Sequence, residues 1–259
     1  MLGTKNKILF EVCVDSIESS LIAGQSGADR IELCADLNIG GVTPSYGTIK
    51  TVLDRLSIPV YVLIRPRSGD FLYTSPEYDV MKQDILFCKE AGARGIVTGI
   101  LNQDGTIDRT RSQELIDLAR PMSVTFHRAF DFTRDAIESL DLLIEMGVDR
   151  VLTSGQETDA YSGINMIKKL VEHSSGRIII MPGGGVNEQN IREIIKSTGV
   201  KEIHASARES VKSKMDFVNQ NMSLSNNKEI NLVDFAIASG KRIKSLLGAI
   251  ESDNIDSNL

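Results

Sequence analysis

Side chains able to do chemistry recur at one kind of place in this chain: the end of a short apolar run, just before a loop. The densest case is Ser123-Val124-Thr125-Phe126-His127-Arg128-Ala129-Phe130-Asp131. Alternation along an extended segment sets Ser123, Thr125 and His127 on one face, with Val124 and Phe126 on the other. The polar face therefore ends in an imidazole followed by a fixed cation, and a carboxylate stands three residues beyond Arg128. An imidazole serves acid–base work near neutral pH, and a guanidinium grips an oxyanion. The plain structural reading of the same residues is a hydrogen-bonded core histidine and an Arg128–Asp131 ion pair.

Other apolar runs end the same way: Glu11 and Cys13, Glu32 and Cys34, Arg65 and Arg67, Thr153 and Ser154, Gly183 to Gly185, His204 and Ser206. Cys13 and Cys34 hold corresponding places on consecutive runs. Neighbouring parallel strands lie ~4.8 Å apart, so the two thiols can approach each other and hold a soft ion such as Cu(I). Alternatively they are two small buried hydrophobes, as free cysteines commonly are. Glu11 and Glu32 repeat the relationship. Two facing carboxylates cannot both ionise cheaply, so they need a metal, a shared proton or an arginine such as Arg30, Arg65 or Arg128. With His127 they make a candidate acid–base set, Glu11, Glu32, His127, Arg65 and Arg128, or else a structural Arg–Glu network. Gly183-Gly184-Gly185 before a helix, with His204 and Ser206 on the next run, has the make-up of an anion site built from free backbone N–H groups. Arg65, Arg67 and Arg128 would add charge-assisted contacts.

The elements that must position these groups follow from periodicity. Strands are expected at 8–14, 30–34, 59–67, 95–99, 123–127, 150–155, 177–181 and 202–206. Helical patterns fall at 16–26, up to 56, and at about 77–91, 109–119, 134–146, 160–173 and 188–197. A last helix is expected over 232–247, after a polar stretch at 219–231. Ser16 is the expected first N-cap, Cys88 a helical core residue, and His173 a solvated residue in a turn. Eight strand–helix units in about 250 residues favour a single (β/α)8 TIM barrel over an open doubly wound sheet. The barrel domain would span 1–250, with 251–259 a polar, frayed tail. Barrel active sites sit at the C-terminal strand ends, where the groups above collect.

Bulk composition narrows the field. With 259 residues, 41% hydrophobic and 25% charged, the chain suits one soluble domain. Its net charge of −6 argues against nucleic acid, which calls for a basic face, and against an anionic membrane surface. No run approaches the ~20 apolar residues of a membrane span, and Met1 to Lys7 lacks a signal-peptide core. The expected location is cytoplasmic. Three cysteines, Cys13, Cys34 and Cys88, are too few and too odd in number for a disulfide framework.

The ordered stretches Glu11-Val12-Cys13-Val14-Asp15, Gly27 to Cys34, Gly40 to Ser45, Ile64 to Phe71, Thr125 to Asp131, Leu152 to Gly155 and Gly183 to Val186 together make the chain resemble the CutC family of copper homeostasis proteins. The resemblance fades after Ser206, and Ser68 stands where the family usually carries glycine. It implies a (β/α)8 barrel, a link to copper tolerance, and Cu(I) as the ion of Cys13 and Cys34. The residues support two expectations. One is a cytosolic copper-handling protein using that thiol pair. The other is a barrel enzyme of unassigned reaction acting on a small anionic substrate, phosphorylated compounds among the candidates. The expected partner is accordingly a metal ion or a small anion, and barrels of this kind frequently self-associate.

Overall fold

The computed structural model describes residues 7–217, 219 and 234–256; nearly all of the polar stretch expected at 219–231 lies outside them. Eight parallel strands form the centre: β1 (Leu9–Val14), β2 (Arg30–Leu33), β3 (Val60–Leu63), β4 (Gly95–Thr98), β5 (Ser123–Phe126), β6 (Arg150–Thr153), β7 (Ile179–Pro182) and β8 (Glu202–Ala205). Their order is β7-β6-β5-β4-β3-β2-β1-β8, with β1 bonded to both β2 and β8. β7 and β8 lie side by side at the seam, so the sheet curls into a nearly closed (β/α)8 barrel. An open doubly wound sheet would hold those two strands apart as edges.

Around it run α1 (Ile17–Gln25), α2 (Tyr46–Arg55), α3 (Ser75–Ala91), α4 (Arg109–Ala119), α5 (Ala136–Glu145), α6 (Ile164–Ser174), α7 (Ile191–Thr198) and α8 (Gly240–Asp256). Their starts are set locally. Ser16 accepts from the Ser19 amide at 3.0 Å as the α1 cap. Thr74 and Glu77 form a capping box on α3, and Asp108 and Asp135 cap α4 and α5. Cys88 lies buried on α3, as expected. His173 sits in the last turn of α6, not in a turn beyond it, and meets Asp141 at 2.8 Å.

The chain departs from expectation after β8. Two further strands, β9 (Arg208–Lys212) and β10 (Asp234–Ala238), pair antiparallel, Arg208 opposite Ala238. The helix expected over 232–247 starts only at Gly240. Residues 234–238 become a strand because Arg208–Lys212 offers an edge to pair with, a long-range partner that local periodicity does not register. Ala238 then donates to Ser19 Oγ at 3.1 Å, and α8 packs between α7 and α1, completing the helical ring.

Alternation divides every strand. On β1, Phe10, Val12 and Val14 join the core between sheet and helices, so Glu11 and Cys13 face the barrel interior. Cys13 clusters there with Cys34, Tyr61, Leu63 and Val97. Below them lies a buried ionic layer. Arg30 bonds Glu11 and, at 2.7 Å, Glu202. Arg150 bonds Glu202 at 2.5 and 3.0 Å and Thr125 Oγ1 at 3.2 Å. Both guanidiniums face the Tyr61 ring. Two arginines and two glutamates cancel in charge, which is how this interior holds four ions.

Candidate functional site

The C-terminal ends of the strands surround a cavity of about 620 Å³. Of the residues singled out in the sequence, it brings together Cys13, Glu32, Arg65, His127, Arg128, Gly184, Gly185, His204 and Ser206. Glu11, Cys34 and Gly183 stand behind this wall. Arg67 is not part of it: its guanidinium is spent on Asp70 at 2.8 Å and Glu77 at 2.6 Å outside the mouth.

The register corrects one expectation. Glu11 and Glu32 do not face each other: adjacent barrel strands are staggered, so Arg30 lies opposite Glu11, and Glu32 lies opposite Cys13. Glu11 thus belongs to the structural Arg–Glu network, while Glu32 belongs to the cavity. Cys13 Sγ lies 3.3 Å from Glu32 Oε1 and 3.9 Å from Cys34 Sγ, and all three cysteines are free thiols. Cys34 also reaches the Val14 carbonyl at 3.4 Å. Gly41 lies so near that a Cβ there would come within 3.3 Å of Cys34 Sγ. A different triplet, Cys13, Glu32 and His204, brings one ligand atom each within 4.8 Å of the others, and all three are buried. His204 was assigned from the sequence to the anion site alone; barrel closure, which sets β8 beside β1, was the signal that could have placed it near Cys13.

Protonation follows from these contacts. Burial disfavours the Glu11 carboxylate, but Arg30 and His204 outweigh it and hold its pKa at about 2, against an ordinary 4.5. Burial likewise opposes the His204 imidazolium, yet the 2.8 Å bond to Glu11 and the charge of Glu32 keep its pKa above the usual 6.5. Burial raises the Glu32 carboxyl despite His204 nearby. The hydrogen bond shared with Cys34, burial and Glu32 push the Cys13 thiol well up. Burial, with Arg65 adding to it, lowers His127 to about 3.

A pH dependence of folding follows. Glu11, depressed in the fold, contributes stability that is fully present above about pH 4.5 and lost as pH falls towards 2. His127 adds to the acid loss from higher pH, because the unfolded imidazole takes a proton near 6.5 and the folded one near 3. His204 acts oppositely: its contribution is present below 6.5 and lost as pH rises through its raised value. Urea midpoints measured over a pH series should fall steeply on the acid side, and Glu11→Gln should flatten the limb between about 4.5 and 2. An unchanged limb in that variant would contradict the assignment.

The rim is held by β6. Asp131 accepts from the Ser154 amide at 3.0 Å and from Thr153 Oγ1 at 2.5 Å. It also receives Arg128 Nε at 2.8 Å, so the expected Arg128–Asp131 pair forms. Arg128 Nη2 donates to Ser154 Oγ at 2.7 Å. Across the mouth, Arg242 makes a two-point contact with Glu188, both bonds 2.8 Å, and bonds the Arg208 carbonyl. Arg208 and Arg242 line the cavity too. Neither was singled out in the sequence, because both come from the segment after β8 where no strand–helix unit pointed to them.

Fold and site together define a (β/α)8 barrel whose mouth holds a buried thiol–carboxylate–imidazole group beneath a ring of arginines. The comparisons name the family. The CutC family profile matches residues 8–209. A human copper homeostasis protein cutC homolog is 47% identical over 222 residues, 86% of this chain and 81% of the relative. A CutC family protein of Bacteroides thetaiotaomicron is 46% identical over 247 residues, 95% and 99% of the two chains. A crystal structure of a CutC copper homeostasis protein from Streptococcus agalactiae superposes with a TM-score of 0.73 at 37% identity, covering 77% of this chain and 98% of that one. This chain belongs to the CutC family. Phosphoribosylanthranilate isomerase of Pyrococcus furiosus, at 12% identity and TM-score 0.57, shares the barrel fold alone. No helix among the described residues is long and apolar enough to cross a membrane.

Proposed function

We propose that this protein serves copper homeostasis by binding Cu(I) between Cys13 and Cys34, in a reducing, cytoplasmic setting. The observation that carries the reading is the 3.9 Å separation of the two free thiols. With metal–sulfur bonds of about 2.3 Å, two thiolates on one ion stand about 3.8 Å apart at a tetrahedral angle and up to about 4.6 Å when linear. The pair therefore fits one ion without backbone movement. Two sulfurs select a soft cation, and Glu32 beside Cys13 offers a third donor on the cavity side. The raised Cys13 thiol must lose its proton on binding, so affinity rises with pH. An anaerobic Cu(I) competition titration of the reduced protein beside Cys13→Ser/Cys34→Ser tests this. One-to-one binding, weakened at least about a hundredfold in the variant, is expected. Equal affinity in both proteins would remove the thiol pair from the function.

A further inference from the structure

The cavity is far larger than one ion requires, and its wall leaves polar atoms unspent. Among the described residues, five buried side-chain N or O atoms have no hydrogen-bond partner, and three of them, Glu32 Oε2, Arg65 Nε and His127 Nε2, belong to residues lining this one cavity. Each of the three residues is at least nine-tenths buried. A buried polar atom left unpaired is costly; Arg65 lies against the Tyr73 hydroxyl, and the other two, Glu32 Oε2 and His127 Nε2, point to an occupant that completes them. Their chemistry describes it. His127 Nδ1 accepts from the Ala129 amide at 3.1 Å, and burial holds the ring neutral, so the proton is on Nε2 and asks for an oxygen acceptor. Glu32 Oε1 already faces Cys13 Sγ, and Oε2 asks for a donor such as a hydroxyl. Arg65 has committed both terminal nitrogens to the carbonyls of Ile39, Gly41 and Gly69, which fixes the guanidinium as a wall rather than a free hand.

The other end of the cavity is made for an anion. Gly184 and Gly185 follow β7 with φ of 98° and 69°, a left-handed pair that glycine adopts without strain. Backbone amides left unpaired at such a turn are available to an anion. The amides of Gly184, Gly185 and Val186 meet no protein acceptor among the described residues. Arg128 lies against this turn: a Cβ on Gly184 would come within 3.0 Å of Arg128 Nη1. That nitrogen is the one left over after Nε and Nη2 have been taken by Asp131 and Ser154. Four arginines line the cavity; Arg128, Arg208 and Arg242 are each paired with a carboxylate behind the wall, Asp131, Asp15 and Glu188, and Arg128 keeps Nη1 free of those bonds.

We propose that the cavity is a binding site for a small organic phosphate bearing hydroxyl or carbonyl oxygens, its phosphate held by Arg128 and the Gly184–Val186 amides and its oxygens by His127 Nε2 and Glu32. This goes beyond copper binding and does not depend on it, since Cys34, half of the thiol pair, does not line the cavity.

The test uses the metal-free full-length chain, with inorganic phosphate, glycerol 3-phosphate, ribose 5-phosphate and ribose as probes, followed by amide NMR and calorimetry. The organic phosphates should shift the Gly184 and Gly185 amides and bind at least about tenfold more tightly than inorganic phosphate, with ribose alone inert. Arg128→Gln should weaken every phosphate probe by about tenfold or more, with Arg128→Lys recovering part of it. His127→Phe should weaken the organic phosphates alone. Thermal unfolding identifies any variant that fails to fold, and the unmodified protein's spectra decide the question regardless. Cys34→Ser should lose Cu(I) and keep the organic phosphates, which separates failure of this site from failure of the copper reading. Absence of amide shifts at millimolar probe, shifts that leave 184–186 unmoved, or equal affinity for ribose and its phosphate would overturn the proposal.

Discussion

Glu202→Ala is expected to destabilise the barrel by about 3–5 kcal/mol, the range for removing one partner of a buried ion pair. Glu202 is buried on β8 and bridges two guanidiniums, Arg30 at 2.7 Å and Arg150 at 2.5 and 3.0 Å. Arg30 retains Glu11 when Glu202 is lost. Arg150 retains the neutral Thr125 hydroxyl at 3.2 Å and the Tyr61 ring but no carboxylate among the described residues, so its charge is stranded inside the barrel. The cost is the penalty of an uncompensated cation rather than the value of the pair. Hence Glu202→Leu with Arg150→Met should be milder than either single change, because that pair of substitutions also removes the stranded charge. Urea unfolding of the singles and the double measures the coupling. A single-variant loss below about 1 kcal/mol would show the layer to be wet and its charges screened.

Gly163→Ala is expected to be comparably damaging for a purely steric reason. A Cβ at Gly163 would fall 1.8 Å from the Ser154 carbonyl oxygen and 3.1 Å from Gly155 Cα. Both neighbours are backbone, and neither can rotate away. Relief requires moving the β6–α6 loop, at about 3 kcal/mol, the upper end for overpacking. The loop carries Ser154, which holds both Asp131 and Arg128, so the anion end of the cavity should be lost with it. Gly47→Ala is the contrasting case. Gly47 lies exposed in α2 with nothing within 4 Å of its absent Cβ, and alanine there should gain up to about 1 kcal/mol. Thermal unfolding of the two variants side by side should show opposite shifts; a neutral Gly163→Ala would mean that the two ends of the β6–α6 loop are not in contact in solution.

Much of this molecule is legible in its sequence. The (β/α)8 barrel follows from eight apolar runs alternating with helical patterns, since each pattern is local and barrels bury their strands on both sides. Alternation on β1 correctly separated Phe10, Val12 and Val14 from Glu11 and Cys13. The rule that side chains at strand ends meet at one mouth assembled Cys13, Glu32, Arg65, His127, Arg128 and His204 from five different strands. Capping residues such as Ser16 were readable because a cap is a contact three residues long.

What local pattern could not supply was everything that depends on stagger or on a distant partner. Corresponding positions on β1 and β2 suggested Glu11 facing Glu32, but the stagger of a closed barrel set Arg30 against Glu11 and Cys13 against Glu32. The same stagger left Cys13 and Cys34 3.9 Å apart and gave His204 to Glu11 at 2.8 Å. The strand at Asp234–Ala238 existed only because Arg208–Lys212 was there to pair with it, and with it came Arg208 and Arg242 at the rim. Sequence by itself determined which side chains face inward and at which end they gather, because those are properties of a period of two and of a strand's direction. Tertiary structure alone decided which of them touch, and therefore which carry charge, because barrel closure fixes the offset between strands and no residue's neighbours in the chain encode it.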